Sequence, residues 1–177
     1  MEFAQTKKWD MSVIAHRGYN VNYPENTLLA FSKAIEIGAD YIELDVRKCA
    51  DNALVISHDD NLRRSAKNDA KIGDLTLEEL QGIDLGQGQA VPTLEQVLKM
   101  CKGKIGVHVE IKELGLCKQV SQLIRKHSME NQVIFSSFKH QEMNRIKQYL
   151  PGTPTAIVCP NERYDPESTP MDEIGRA

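Results

Sequence analysis

SVIAHRGYNVNYPENTLLAFSKAIEIGADYIELDV, residues 12–46, reads as strand, helix, strand. The ends, 12–18 and 40–46, are short β-rich runs. Between them, Leu28, Phe31, Ala34 and Ile35 share one face of a helix over 24–38, and Gly38 supplies a left-handed stop. Such a unit builds parallel sheets covered by helices. The pattern continues outward with strands expected over 53–59, 105–112, 132–138 and 155–159, making six. Thr76 with Glu79 and Thr93 with Gln96 have capping-box spacing, and Gly103 ends the second of these helices. Further helices are expected over 116–127, with Val120, Leu123 and Ile124 on one side, and over 138–150, with Met143, Ile146 and Leu150 on one side. Residues 60–92 form a long polar connection with room for one short helix, the length of a lid or binding loop. Its Arg63, Arg64 and Lys67 either face an anion or are scattered, solvated charge.

Composition narrows the function. The chain has 177 residues, 41% hydrophobic and 27% charged, with 22 Lys+Arg against 25 Asp+Glu and a formal charge of −3. That suits one globular domain over 1–177 and supplies no cationic block for nucleic acid. Neither a signal-peptide core nor a membrane-length apolar run is visible. Cys49, Cys101, Cys117 and Cys159 are widely spaced, without a CxxC pair. Reduced, mostly buried thiols and a cytoplasmic location are the expectation.

Polar residues gather at the C-terminal ends of four expected strands, where barrels and doubly wound sheets place their sites. These are His16-Arg17-Gly18, Glu43-x-Asp45, His58-Asp59 and Glu110-x-Lys112. Strand residues two apart share a face, so Glu43 and Asp45 point together, as do His108, Glu110 and Lys112. Charged pairs inside a helix-covered parallel sheet are costly unless they bind something. Three carboxylates against fewer cations point to a hard divalent ion, Mg²⁺ or Ca²⁺, in preference to a buried salt bridge with Arg17 or Lys112. His108 reads as a core or supporting residue, His127 and His140 as solvated, and Ser136 and Ser137 as helix caps. No G-x-S-x-G, GxGxxG or P-loop lysine motif is present.

The ordered blocks Ala15-His16-Arg17-Gly18, Pro24-Glu25-Asn26-Thr27, Gly38-Ala39-Asp40, Glu43-Leu44-Asp45 and His58-Asp59 resemble the glycerophosphodiester phosphodiesterase family. The resemblance runs on through Val91-Pro92-Thr93-Leu94, Glu110-Ile111-Lys112 and Ser136-Ser137-Phe138. It implies a TIM (β/α)8 barrel with a small insertion after the His-Asp block, and metal-dependent hydrolysis of glycerophosphodiesters to glycerol 3-phosphate and an alcohol. On matching positions, His16 and His58 resemble the acid/base pair, Glu43, Asp45 and Glu110 the metal ligands, and Arg17 and Lys112 the phosphate-facing cations. Which histidine is the acid stays open, as does whether the nucleophile is water or the substrate's own glycerol hydroxyl.

Cys49, Asp51-Asn52 and Ser65 stand where the family commonly has Thr, Asp-Gly and Thr. Asn tolerates the left-handed turn that Gly would take. A complete barrel needs eight strands and typically about 250 residues, so the expectation is a C-terminally truncated barrel of about six βα units, with a helix starting near Thr169-Pro170. The expected partner is a small phosphodiester, with no nucleic acid and no membrane span. Open strand edges would permit a homo-oligomer. The alternatives are a lysophospholipase-D-like phosphodiesterase and a truncated, catalytically weak chain that binds a metal or phosphorylated ligand.

Overall fold

The computed structural model describes residues 12–159. In chain order these form β1 (Ile14–Ala15), α1 (Leu28–Glu36), β2 (Tyr41–Lys48), β3 (Leu54–Ile56), α2 (Arg63–Ala66), a 3-10 turn (Ile72–Asp74), α3 (Leu77–Gln81), α4 (Leu94–Cys101), β4 (Gly106–Ile111), α5 (Cys117–Lys126), β5 (Val133–Ser137), α6 (His140–Tyr149) and β6 (Thr155–Ile157). The sheet runs β1-β2-β4-β5-β6, each neighbour parallel to the last. An order that advances without reversing is a barrel wall; a doubly wound sheet would switch direction.

Period-two alternation gives this wall two unlike faces. Ile42, Leu44 and Val46 of β2, with Val107, Val109 and Ile111 of β4, are fully buried and join a core shared with Phe31, Leu98, Ile124 and Ile146 of the helices. Each such side chain contributes about 1.5–3 kcal/mol by leaving water. The intervening residues, Glu43, Asp45, His108 and Glu110, occupy the other face. The parallel register sets Glu43 beside His108 and Asp45 beside Glu110. At the opposite end of the same pair, a Cβ on Gly106 would stand 2.2 Å from the Tyr41 ring, so glycine is what lets that ring lie across β4.

Six strands are found, but β3 pairs antiparallel with β2, Val46 opposite Ile56 and Lys48 opposite Leu54. The link over 49–53 is too short for a crossover, which takes a dozen or more residues. It closes instead as a turn: Cys49 N–H donates to Ala53 O (3.1 Å), and Asn52 takes the left-handed φ of 66° expected of it. The same period-two pattern therefore serves a return stroke. The chain then leaves through 60–92, which holds two α-helices and a 3-10 turn where one helix was expected. Leu62, Ile72, Leu80 and Val91 pack there with Val55 and Cys49 as a second core. The excursion rejoins the barrel where it left: Ile56 N–H donates to Pro92 O (2.9 Å), and Val55 bridges Thr93.

Both capping boxes form, Thr76 with Glu79 and Thr93 with Gln96. The first strand is shorter than 12–18 because Arg17 and Gly18 turn left-handed, with φ of 57° and 81°. The helix expected from Pro24 starts at Leu28, capped by the Thr27 hydroxyl, because Asn26 is also left-handed at 56°. The helix start near Thr169-Pro170 lies outside the described residues. Among those described, no helix is long and apolar enough to cross a membrane.

Candidate active site

A tight turn after β1 carries the first two candidate residues. Gly18 sits against the start of α1, where an added Cβ would come within 2.7–2.9 Å of Ala30. Asn26 N–H donates to Arg17 O (3.0 Å) and Tyr19 N–H to Ala30 O (2.9 Å). Clamped this way, the turn aims the Arg17 backbone N–H at Glu43 Oε2 (2.9 Å) and brings His16 Nε2 to 3.9 Å from the same oxygen. Burial and the neighbouring Arg17 charge hold His16 below its ordinary pKa.

On the polar face of the wall, ligand oxygens of Glu43, Asp45 and Glu110 lie within 4.8 Å of one another. Two cations face them. Lys112 Nζ is 2.7 Å from Glu110 Oε1 and 3.2 Å from Asp45 Oδ1, and Arg17 Nε is 3.5 Å from Asp45 Oδ2. Asn26 Nδ2 donates to Asp45 Oδ2 (2.8 Å). The salt bridge weighed against a metal thus exists, yet it is incomplete. Asp45 Oδ1 and Arg17 Nε are buried and make no well-aligned hydrogen bond. Glu43, buried beside Asp45, is pushed up to about 8, first by burial and then by that second carboxylate. Three carboxylates against two cations, with a buried carboxylate oxygen that Lys112 approaches without a well-aligned hydrogen bond, fit a divalent ion held by oxygen.

His58 arrives by the β3 reversal. Ser57 N–H donates to Asp45 O (2.9 Å), so the returning chain hangs directly beside the carboxylates. His58 Nδ1 lies 2.6 Å from Asp59 Oδ1. Burial alone would raise the Asp59 pKa, but hydrogen bonds from His58 and Arg64 outweigh it and hold the carboxyl below its usual range. An ionised acceptor requires Nδ1–H on His58, which turns Nε2 away from Asp59. An open groove of about 940 Å³ begins here, lined among others by His58, Lys112, Arg47, Arg63, Asp60 and Phe138. Arg47 braces its floor, donating Nε and Nη2 to His58 O and Nη1 to Glu113.

All seven candidate residues thus lie around β1, β2, β4 and the β3 return, and three supporting groups join them. Glu25 and Asn26 have no role in the sequence reading, although both stand in the Pro24-Glu25-Asn26-Thr27 block, and Arg64 is there only an anion-facing or solvated charge. His108 supports as expected, its Nε2 2.8 Å from Ser136 Oγ. Ser136 is therefore no cap, and neither is Ser137: α6 has Lys139 at its N-cap with no side-chain cap bond, and Ser137 Oγ accepts from Lys139 N–H (2.9 Å) ahead of the helix. His127 and His140 are not solvated. His127 Nε2 lies 3.1 Å from Glu95, and His140, half-buried, has Nε2 3.5 Å from Val158 O.

A sequence profile of the glycerophosphoryl diester phosphodiesterase family matches residues 16–175. The chain belongs to that family. It is 38% identical over 152 residues to a glycerophosphodiester phosphodiesterase of Caldanaerobacter subterraneus, covering 78% of this chain and 63% of that protein. A glycerophosphodiester phosphodiesterase crystal structure from Thermotoga maritima matches at 34% identity and TM-score 0.75, covering 92% of this chain and 67% of that one. An Oleispira antarctica phosphodiesterase, solved with its product sn-glycerol 3-phosphate, matches at 28% identity and TM-score 0.74, covering 86% and 68%. These family structures are TIM barrels, the architecture to which the described wall belongs. The chain spans a little under two thirds of the length of such curated relatives.

Proposed function

We propose that this member of the glycerophosphodiester phosphodiesterase family takes part in divalent-metal hydrolysis of glycerophosphodiesters to sn-glycerol 3-phosphate and an alcohol. The observation that carries this reading is the trio Glu43, Asp45 and Glu110, under-neutralised and flanked by two histidines. The trio would hold Mg²⁺ or Ca²⁺, which supplies Lewis-acid stabilisation of charge growing on the phosphoryl oxygens. Arg17 and Lys112 bind the non-bridging oxygens from either side. Their positive charge matters most as the phosphorus centre becomes more negative.

His16 and His58 divide the proton traffic. One takes the proton of the attacking hydroxyl and the other protonates the leaving alkoxide, a contribution of roughly 10²–10⁴-fold. Asp59 fixes the His58 tautomer so that Nε2 faces the reaction. The groove beside Lys112 and Phe138 receives the alcohol portion, with Asp60, Asn61, Arg63 and Arg64 as one wall.

Protein stripped with EDTA and reloaded with Mg²⁺ or Ca²⁺ should release glycerol 3-phosphate from glycerophosphocholine. His16→Ala and His58→Ala should each reduce turnover by about 10²-fold or more. Undiminished turnover in both would refute the acid/base assignment, and metal-independent turnover would refute the role given to the carboxylates. Faster cleavage of a lysophospholipid than of glycerophosphocholine would move the reading to the lysophospholipase-D-like alternative.

A further inference from the structure

Arg64 stands on α2, outside the barrel wall, and its guanidinium is engaged from two sides. Nε donates to Asp59 Oδ2 (2.7 Å), while Nη1 and Nη2 donate to Glu25 Oε2 and Oε1, both at 2.8 Å. Each carboxylate passes the contact on. Asp59 Oδ1 meets His58 Nδ1 at 2.6 Å, and Glu25 Oε1 accepts from Arg17 Nη1 at 3.1 Å. The resulting chain, His58-Asp59-Arg64-Glu25-Arg17, joins the histidine after β3 to the arginine after β1. The anion-facing role considered for Arg64 is thereby excluded for three of its five N–H groups, which are spent on the protein's own carboxylates.

We infer that Arg64 is a positioning residue for the phosphodiester chemistry, orienting His58 through Asp59 and Arg17 through Glu25. The inference rests on the roles proposed above for His58 and Arg17. Charge balances along the chain, with Arg17 and Arg64 against Glu25 and Asp59. Geometry requires arginine in particular. A planar fork grips Glu25 with two parallel bonds while turning a third donor to Asp59, and a lysine ammonium cannot hold both carboxylates in that plane. The Arg64 side chain is 48% exposed, so its ion pairs are screened and add little to global stability. What the fork supplies is orientation. Supporting groups of this kind typically affect activity by about 10–100-fold when removed.

The test uses Arg64→Gln and Arg64→Lys, with kcat and KM measured on glycerophosphocholine and Mg²⁺, the thermal midpoint, and the ¹H–¹⁵N imidazole signals of His58. The expected result is a kcat lower by about 10–100-fold in both variants. KM should stay within about 2-fold, the thermal midpoint should stay close to wild type, and the downfield Nδ1–H signal of His58 should be lost or moved. Failure of lysine to restore kcat would mark the fork, and not the charge, as the working feature. Wild-type kcat with an unmoved His58 signal would overturn the inference. A rise in KM at constant kcat would also overturn it, showing that Arg64 binds the phosphodiester directly. An inactive wild-type protein whose His58 signal still depends on Arg64 would remove the proposed function and leave the positioning intact. Inactivity with an independent signal would remove both.

Discussion

Replacing Glu43 with Gln should make the metal-free protein more stable at neutral pH while abolishing metal binding at the trio. Among the described residues, buried Glu43 takes the Arg17 N–H, lies near the His16 ring and has Asp45 beside it, while the Arg17 and Lys112 side chains pair with Asp45 and Glu110. Burial, then repulsion from Asp45, moves it from the ordinary 4.5 to about 8. Between those values the folded state binds a proton that the unfolded state has released. Stability therefore falls as pH rises from 4.5 to 8, opposite to the usual salt-bridged carboxylate. One pKa unit corresponds to about 1.4 kcal/mol, so roughly 3 kcal/mol of destabilisation accumulates by pH 7. Glutamine keeps the shape, carries no charge, and removes this slope. Urea unfolding of both proteins in EDTA, at pH 5, 6, 7 and 8, isolates the difference. The two curves should nearly meet at pH 5 and separate steadily in favour of Glu43→Gln. At pH 7.5, added Mg²⁺ should raise the melting temperature of the parent and leave the variant unmoved. A separation that is flat or reversed with pH, or equal stabilisation of both by the metal, would refute the reasoning.

Gly18→Ala should cost about 3 kcal/mol in urea unfolding, because a φ of 81° disfavours Cβ and that atom would meet Ala30 at 2.7–2.9 Å. A loss below about 1 kcal/mol would show that the turn can shift freely away from α1. Gly106→Ala should cost about 1–3 kcal/mol by displacing the Tyr41 ring, and much of that loss should disappear in the Tyr41→Ala background, read as a double-mutant cycle. Native protein at pH 8 should present one fast thiol to a disulfide reagent, Cys159. Burial raises Cys49 to about 11 and Cys101 to about 12, and holds Cys117, hydrogen-bonded to Glu142, higher still. Four fast thiols without denaturant would contradict the packing around the first three.

What could be read from sequence was local or periodic. Alternation alone put Glu43 with Asp45 and Glu110 with Lys112 on one face, and the spacing of threonine to Glu or Gln three residues on found both capping boxes. Strand direction is invisible to that reading, since 54–56 alternates identically forwards and backwards. Only the five-residue link before it decides the matter. Long-range polar pairing was equally hidden. His127 looked solvated because Glu95 is 32 residues away, and Arg64 looked free because Glu25 is 39 residues away. The carboxylate trio was legible because a β-strand repeats every two residues. Its bracing was not, because it is assembled from separate loops.

The excursion over 60–92 returns to the wall at the Ile56 to Pro92 hydrogen bond and builds a second core together with Val55 and Cys49 of the β2–β3 return. Such a segment can be exchanged as a unit when its seams with the wall are kept. Replacing it with the corresponding stretch of a relative should leave the barrel wall standing while reshaping the groove that selects the alcohol. Any such graft must keep the seams at Ala50 N–H to Leu75 O (2.8 Å), Leu29 N–H to Gln89 Oε1 (3.2 Å) and Gln87 Nε2 to Asn22 O (3.1 Å), and must return a guanidinium to the place between Asp59 and Glu25.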